Sequence, residues 1–243
     1  MNKKNKILVI RFSSIGDIVL TTSFLETIKS KFINSEIHFL TLDKFAPILE
    51  MQPNISRVIS LSNSTNLIGL LRFKKYLSLA RYNYVYDLHS SLRSRFLTFG
   101  LDVDIKTINK PRLLRLILFQ FHKNKFPKNF STIMMYHQCI NFDSSIKFPD
   151  TKLVVSKAEQ VCARSFLNEN KVGDSFVVLI PGAAWPQKQW YSSRYGKVIN
   201  KIVKKTGKDI IMLGGKNDKI CEEISLINNH VINFAGYTDL REA

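Results

Sequence analysis

Three short polar segments of this 243-residue chain follow apolar runs directly, the position where α/β proteins do their chemistry. The first is Ser13-Ser14-Ile15-Gly16-Asp17, which comes after Ile7-Leu8-Val9-Ile10 and opens a run of helical character from Ile18 to Phe32. It sets a carboxylate, Asp17, at the ligand-facing edge of a strand-to-helix turn. The second is Pro181-Gly182-Ala183-Ala184-Trp185-Pro186-Gln187-Lys188-Gln189-Trp190. Its small residues let backbone N–H groups approach a phosphate, and Lys188 can neutralise one. The GxxxxGK[ST] spacing of a Walker loop is absent. The third is Leu213-Gly214-Gly215-Lys216-Asn217-Asp218, paired glycines followed by an acid suited to ribose hydroxyls, with Ala235-Gly236-Tyr237-Thr238 ending the next run. Singly, such turns are common; at successive strand ends they outline a nucleotide crevice.

The elements that must position these residues alternate. Strand patterns at Lys6–Arg11, Glu36–Leu42, Arg57–Leu61, Asn83–Leu88 and Ile105–Ile108 are separated by helix patterns at Asp17–Phe32, Phe45–Met51, Leu67–Arg81 and Ser91–Leu101. Alternation of this kind predicts a doubly wound parallel sheet. Helical stretches Arg112–Phe121 and Thr132–Asn141 follow. The pattern resets near Phe148-Pro149-Asp150, predicting domains over 1–150 and 151–243. The second series reads helix (Lys157–Glu169), strand (Ser175–Pro181), helix (Ser192–Lys205), strand (Lys208–Leu213), helix (Asp218–Ile227) and strand (Val231–Phe234). Thr238 is the expected N-cap of a further helix, so the second domain reads as cut short.

Composition narrows the partners. With 36 Lys+Arg against 19 Asp+Glu, a net charge of +17 points to an anionic partner, or to solvated lysine alone. Cys139, Cys162 and Cys221 are odd in number and far apart, which predicts a reducing compartment and neither a disulfide framework nor a zinc site. The five histidines lack HxxxH or HExxH spacing, and no metal or other cofactor is expected. The basic start, Met1 to Lys6, precedes an apolar run too short for a signal peptide. No run is long enough to span a membrane.

SSIGD, then Asp87-Leu88-His89-Ser90-Ser91-Leu92-Arg93-Ser94, PGAAWPQKQW, LGGKND and AGYTDLRE occur in that order across almost the whole chain. In this the chain resembles the lipopolysaccharide heptosyltransferases, family nine of the glycosyltransferases. The resemblance implies a GT-B fold of two Rossmann-like domains, the first on the acceptor side and the second binding the nucleotide-sugar. It implies inverting transfer of heptose from an ADP-sugar co-substrate to the lipid A–Kdo inner core of lipopolysaccharide. It also implies a cytoplasmic protein, peripheral on the anionic inner face of the inner membrane, and no nucleic acid. Asp17 matches the family's base and Gly16 the tight backbone beside it. Lys188 matches the lysine that holds the donor's phosphates, with Gly182 and Gly215 as further donor-binding positions. Ala183 and Ala184, also on the donor side, replace hydroxyl residues that some members carry there, Asp218 replaces a Glu that binds the ribose, and Thr238 lines the adenine pocket. The family's DSGxxH segment is not found after AGYTDLRE, which implies an incomplete second domain.

Each residue also has a purely structural reading. Asp17 can be a first-turn acid complementing the helix dipole, and Lys188 a solvated lysine. Arg11, His89, Arg93 and His137 are candidate acceptor contacts, although Arg11 can sit on the surface and histidines are as often buried and hydrogen-bonded. Arg112–Phe121 invites a membrane reading but is more simply a buried helix with basic ends. The stripe Leu70, Phe73, Leu77, Ala80 reads as core-facing. Two other functions remain open: a catalytically inactive remnant or interaction module, and a basic nucleic-acid binder supported by net charge alone. A nicotinamide oxidoreductase is disfavoured, because SSIGD stands where GxGxxG belongs.

Overall fold

A computed structural model of the protein describes residues 4–141 and 147–243; Met1–Lys3 of the basic start lie outside the described residues. The chain divides into two units, Met1–Val154 and Val155–Ala243. In the first, strands β1 (Asn5–Ile10), β2 (Ser35–Leu42), β3 (Arg57–Leu61), β4 (Tyr84–Asp87) and β5 (Asp104–Thr107) form one sheet in the order β3-β2-β1-β4-β5, every pair parallel. The helices are α1 (Ile15–Lys31), α2 (Leu67–Leu79), α3 (Leu92–Thr98), α4 (Arg112–Phe121) and α5 (Thr132–His137). Successive side chains of a strand face opposite sides of its sheet. Ile7 and Val9 of β1 therefore pack with Phe24 and Ile28 of α1 and Tyr136 of α5, while Leu8 and Ile10 pack with Leu77 of α2 and Leu97 of α3. Each such side chain contributes about 1.5–3 kcal/mol by leaving water. Both faces being covered is what lets β1 read as an unbroken apolar run.

The second unit has α6 (Lys157–Glu169), β6 (Phe176–Leu179), α7 (Ser192–Thr206), β7 (Asp209–Met212), α8 (Lys219–Ile227) and β8 (Val231–Asn233). Its parallel sheet runs β6-β7-β8. Ile210 and Met212 face α7 and α8; Ile211 and Leu213 face α6 and Phe234.

Several elements differ from expectation. Helix α1 starts two residues early, which puts Asp17 at its third position. Nor is α1 amphipathic: Thr21, Thr22, Ser23 and Thr27 are buried with its apolar residues. Their hydroxyls have partners, Thr21 on the Ile18 carbonyl (2.6 Å), Thr22 on Val19 (2.7 Å) and Ser23 on Pro149 (2.5 Å). The expected helix Phe45–Met51 is a 3-10 turn over Asp43–Leu49, where Pro47 gives an α ladder no N–H. Thr132–Asn141 is α only to His137 and 3-10 over Gln138–Ile140. Asp239, not Thr238, caps the final turn: its carboxylate accepts from the N–H of Arg241 (2.7 Å) and of Glu242 (2.9 Å). The largest correction is α4, which buries no residue at all. The α2 stripe of Leu70, Phe73, Leu77 and Ala80 does face the core.

The turn after β4 depends on one buried acid. Asp87, fully buried, accepts from the N–H of His89 (2.9 Å) and of Ser90 (2.8 Å) and from the Ser94 hydroxyl (2.8 Å). These bonds hold Ser90 in the left-handed region at φ 50°. Asp87→Ala leaves three donors without their acceptor, and the expected loss is about 2–4 kcal/mol in urea unfolding followed by circular dichroism. Asp87→Asn keeps an acceptor for the two N–H groups and should lose about half as much.

Candidate functional site

Connections from β1 run one way across the first sheet, to β2 and β3, and those from β4 the other way, to β5. The switch point of a doubly wound sheet, where ligands bind, is therefore at the carboxyl ends of β1 and β4. Their last residues, Ile10 and Asp87, are register partners. Arg11 follows β1, and buried between the elements it makes two charged contacts. One guanidinium nitrogen donates to the Leu88 carbonyl just past β4 (2.7 Å), and the other pairs with Asp17 Oδ2 (2.6 Å). The Arg11 guanidinium also lies over the Tyr136 ring, 5.7 Å from its centroid.

The two oxygens of Asp17 are not equivalent. Oδ2 takes Arg11 and both the N–H (3.3 Å) and hydroxyl (3.0 Å) of Ser14. Among the described residues Oδ1 takes only the Tyr136 hydroxyl, at 3.3 Å. Partial burial by itself would raise the Asp17 pKa, but the Arg11 charge and the Ser14 hydrogen bonds outweigh it and hold the carboxyl below its ordinary value. Asp17 is thus ionised at neutral pH. Its ion pair is complete above the ordinary carboxylate range and is lost as pH falls through the depressed value.

His89 lies beside this pair, edge-on to Phe12 with centroids 5.1 Å apart. Burial, then the charges of Arg11 and Lys110, push its pKa down to about 4, so its ring is neutral at neutral pH. Its Nδ1 is buried without a hydrogen-bond partner among the described residues. Lys110, past the end of β5, donates to the His89 carbonyl. Burial, followed by the Arg11 and Arg112 charges, lowers its pKa.

Of the residues singled out in the first unit, Asp17, Arg11 and His89 thus come together. Gly16 is beside them, but an added Cβ there would meet nothing within 4 Å, so the backbone is open and not tight. Arg93 does not join them. It donates to the carbonyls of Ser62 (3.1 Å), Asn63 (3.4 Å) and Thr65 (3.3 Å) and pins the loop after β3. His137 does not either: it is buried, its Nδ1 2.9 Å from the Ile133 carbonyl and its Nε2 2.9 Å from the Thr27 hydroxyl. One helix position earlier, Tyr136 makes the contact that His137 does not. Tyr136 and Lys110 went unread because an apolar context hides the first and a lysine-rich composition the second; for Lys110, its place after a strand end was the available signal.

In the second unit an open cavity of about 530 Å³ lies at the carboxyl ends of β6 and β7, a volume usual for small-molecule sites. Ala183, Gln189, Tyr191, Asp218, Lys219 and Glu223 are among its walls. Both α7 and α8 begin on it, and neither Tyr191 nor Asp218, their N-caps, caps its helix with a side-chain hydrogen bond. Two helix starts offer N–H groups and positive dipole ends to an anion. Asp218 also organises the loops. Its Oδ2 accepts from Gly215 N–H (2.7 Å) and occupies the space where a Cβ at Gly182 would fall, 2.4 Å away. Gln189 closes the loop by donating to the Ala183 carbonyl (3.1 Å). Ala184 and Lys188 are exposed on that loop, and Lys188 ends the 3-10 turn Pro186–Lys188. Lys219, one residue past the glycine turn, lines the cavity and was not singled out from sequence. Thr238 does not join this group. It lines a separate cavity on the α6 side of the sheet, with Phe166, Phe234 and the Glu159–Arg241 ion pair (2.5 Å).

Each unit is a parallel α/β sheet with charged groups at its carboxyl edge, the pattern of a GT-B glycosyltransferase, and solved structures share the fold. A family 9 glycosyltransferase from Veillonella parvula matches with a TM-score of 0.76 at 20% identity, over 100% of this chain and 73% of that one. Escherichia coli ADP-heptose LPS heptosyltransferase II matches with a TM-score of 0.69 at 19% identity, over 98% and 74%. In sequence, lipooligosaccharide heptosyltransferase 2 of Haemophilus ducreyi is 25% identical over 98% of this chain and 73% of its own length. The profile of glycosyltransferase family 9 (heptosyltransferase) matches residues 70–243. The chain belongs to that family.

The Arg11–Asp17 pair makes a direct prediction. Arg11→Met removes the charge that, with the Ser14 hydrogen bonds, outweighs burial, so the Asp17 carboxyl should titrate at higher pH than in the unchanged protein. Carbon-detected NMR of the Asp17 carboxyl checks this, and an unmoved titration would show that Ser14 alone sets it.

Proposed function

We propose that the protein transfers heptose, or a closely related sugar, from an ADP-sugar to the inner core of lipopolysaccharide, with inversion at the anomeric carbon. The acceptor, lipid A–Kdo or a later inner-core intermediate, is taken at the cytoplasmic face of the inner membrane. The observation that carries the reading is the ionised Asp17, with one oxygen locked and the other lightly held, at the switch point of a family 9 chain.

An acceptor hydroxyl that attacks the anomeric carbon must lose its proton while positive charge grows at that carbon. An anionic carboxylate serves both needs. Asp17 Oδ1 takes the proton in this scheme, since Oδ2 is committed to Arg11 and Ser14. Asp17 is a weak base in the ground state, so the transfer is late, once the new C–O bond has made the hydroxyl acidic. The departing ADP carries its charge onto the diphosphate, where Lys188, Lys219 and the N–H groups opening α7 and α8 stabilise it. Asp218 meets the ribose. The acceptor's phosphates and acidic sugars suit the half-buried Lys110; Arg11 is buried and engaged by Asp17 and the Leu88 carbonyl, and serves by holding Asp17. The scheme uses no metal or other resident cofactor, and transfer is expected to persist in EDTA.

The test is transfer from ADP-heptose to a purified inner-core acceptor, with donor binding measured separately. Asp17→Asn should lower kcat on the order of 10²–10⁴-fold while donor affinity stays near that of the unchanged protein. Lys219→Ala and Lys188→Ala should each weaken ADP-sugar binding on the order of tenfold, the loss of one charge-assisted contact. Full activity in Asp17→Asn would refute its role. Donor binding without transfer by the unchanged protein would favour the interaction-module reading.

A further inference from the structure

Helix α4 lies open on the first unit. Its seven apolar residues belong to no core cluster among the described residues, and none is buried. Leu113, Leu116, Phe119 and Phe121 are 68, 53, 76 and 65% exposed. Leu113, Leu116 and Phe119 recur at every third residue and so share one side of the helix. Large apolar side chains left in water are costly, and their grouping on one arc, interleaved with Arg112 and Gln120, marks a docking surface. Its surroundings say what docks. From Ile105 to Phe142 the chain holds seven Lys and Arg and no Asp or Glu. Arg115, Lys123, Lys125 and Lys128 flank the apolar side and are exposed.

We propose that α4 seats the protein on an anionic lipid bilayer, with Leu113, Leu116 and Phe119 at the headgroup–acyl boundary and the cations beside them among the phosphates. Among the described residues no helix is long and apolar enough to cross a membrane, and α4 would lie in the plane of the surface. A second copy of this chain is the poorer occupant. The first unit carries 23 Lys and Arg against 10 Asp and Glu, so two such faces repel. Nucleic acid matches the charge but offers little to four exposed Leu and Phe side chains. The inference deepens the membrane-surface part of the function proposed above, and it names the contacting element.

The experiment is co-sedimentation of the full chain with phosphatidylcholine vesicles, with and without phosphatidylglycerol. Phe119→Trp reports insertion by its fluorescence and by quenching from brominated acyl chains. The expected result is binding only to the anionic vesicles, with a blue shift and quenching of the new tryptophan above the background of Trp185 and Trp190. Each of Lys123→Gln, Lys125→Gln and Lys128→Gln should weaken binding about fivefold. Leu116→Asp with Phe119→Asp should abolish it, with an unchanged circular dichroism spectrum. Transfer to a deacylated, soluble acceptor should be retained in that double variant. Failure of both vesicle binding and soluble transfer overturns the enzymatic reading as well. Soluble transfer without vesicle binding, or binding that ignores the double variant, overturns only the role of α4. Equal binding to neutral vesicles overturns the role of the lysines. Self-association that the double variant abolishes, with no lipid binding, assigns the face to a second copy.

Discussion

The first unit's chemistry depends on one guanidinium. Arg11 leaves β1 at the point where the sheet changes direction and reaches both the carbonyl after β4 and the carboxylate in the first turn of α1. A buried arginine without partners would be intolerable in a low-dielectric core, and removing either partner leaves a charge stranded. Three elements are therefore held to one another by a single side chain. Its remaining nitrogen, Nε, is buried without a hydrogen-bond partner among the described residues. The turn after β4 can serve as an anchor only because Asp87 in turn holds it. The chain of support runs Asp87 to the His89–Ser90 backbone, to the Leu88 carbonyl, to Arg11, to Asp17.

The second unit solves a similar problem with the opposite sign. There a carboxylate, Asp218, occupies the space between two glycine turns and takes one of their N–H groups. Glycines at 182 and 214 are thus explained by the acid as much as by any ligand, since a Cβ at either would fall within 3.1 Å of Asp218 Oδ2. One acid can both shape the loops and face the cavity, because only Oδ2 is engaged inward. The positive ends of α7 and α8 converge on the same space, so the loops present an anion site even before Lys188 or Lys219 is counted.

Much of this was legible in the residue order. Strands buried on both faces announce themselves as apolar runs, and the strand-to-helix turns fall where Ser, Gly and Asp replace them; Arg57–Leu61 and Lys157–Glu169 match their elements end to end. Contacts between residues far apart in the chain were not legible. Asp17 and Tyr136 are separated by 119 positions, and no local pattern distinguishes Tyr136 from its neighbours Met135 and His137. His137 was singled out and Tyr136 was not, yet it is Tyr136 that reaches Asp17, since adjacent helical residues point about 100° apart. Thr238 lies apart from the other candidate donor residues, in the cavity on the α6 side of the sheet that Phe234, Tyr237 and Asp239 also line. In α4 the error was one of balance: an apolar run with basic ends was taken for core, although period and charge are the same for a helix that leaves its apolar side open.

The unequal oxygens of Asp17 give the proposed mechanism its sharpest constraint. Arg11 and Ser14 fix Oδ2 with three contacts, so the carboxylate cannot rotate and the lone pairs of Oδ1 point in one direction. The Tyr136 hydroxyl, at 3.3 Å, is a long bond for two oxygens and a weak competitor for that site. Burial pushes the Tyr136 pKa up, so the phenol stays a neutral donor and brings no second negative charge against Asp17. An entering sugar hydroxyl that displaces it, and takes up the phenol's own hydrogen bond, finds an acceptor already oriented. The same contacts that orient Asp17 also depress its basicity, and orientation and base strength cannot both be maximal in this arrangement. For attack on an oxocarbenium-like carbon, where the nucleophile sheds its proton only as the bond forms, a fixed anion is worth more than a strong base.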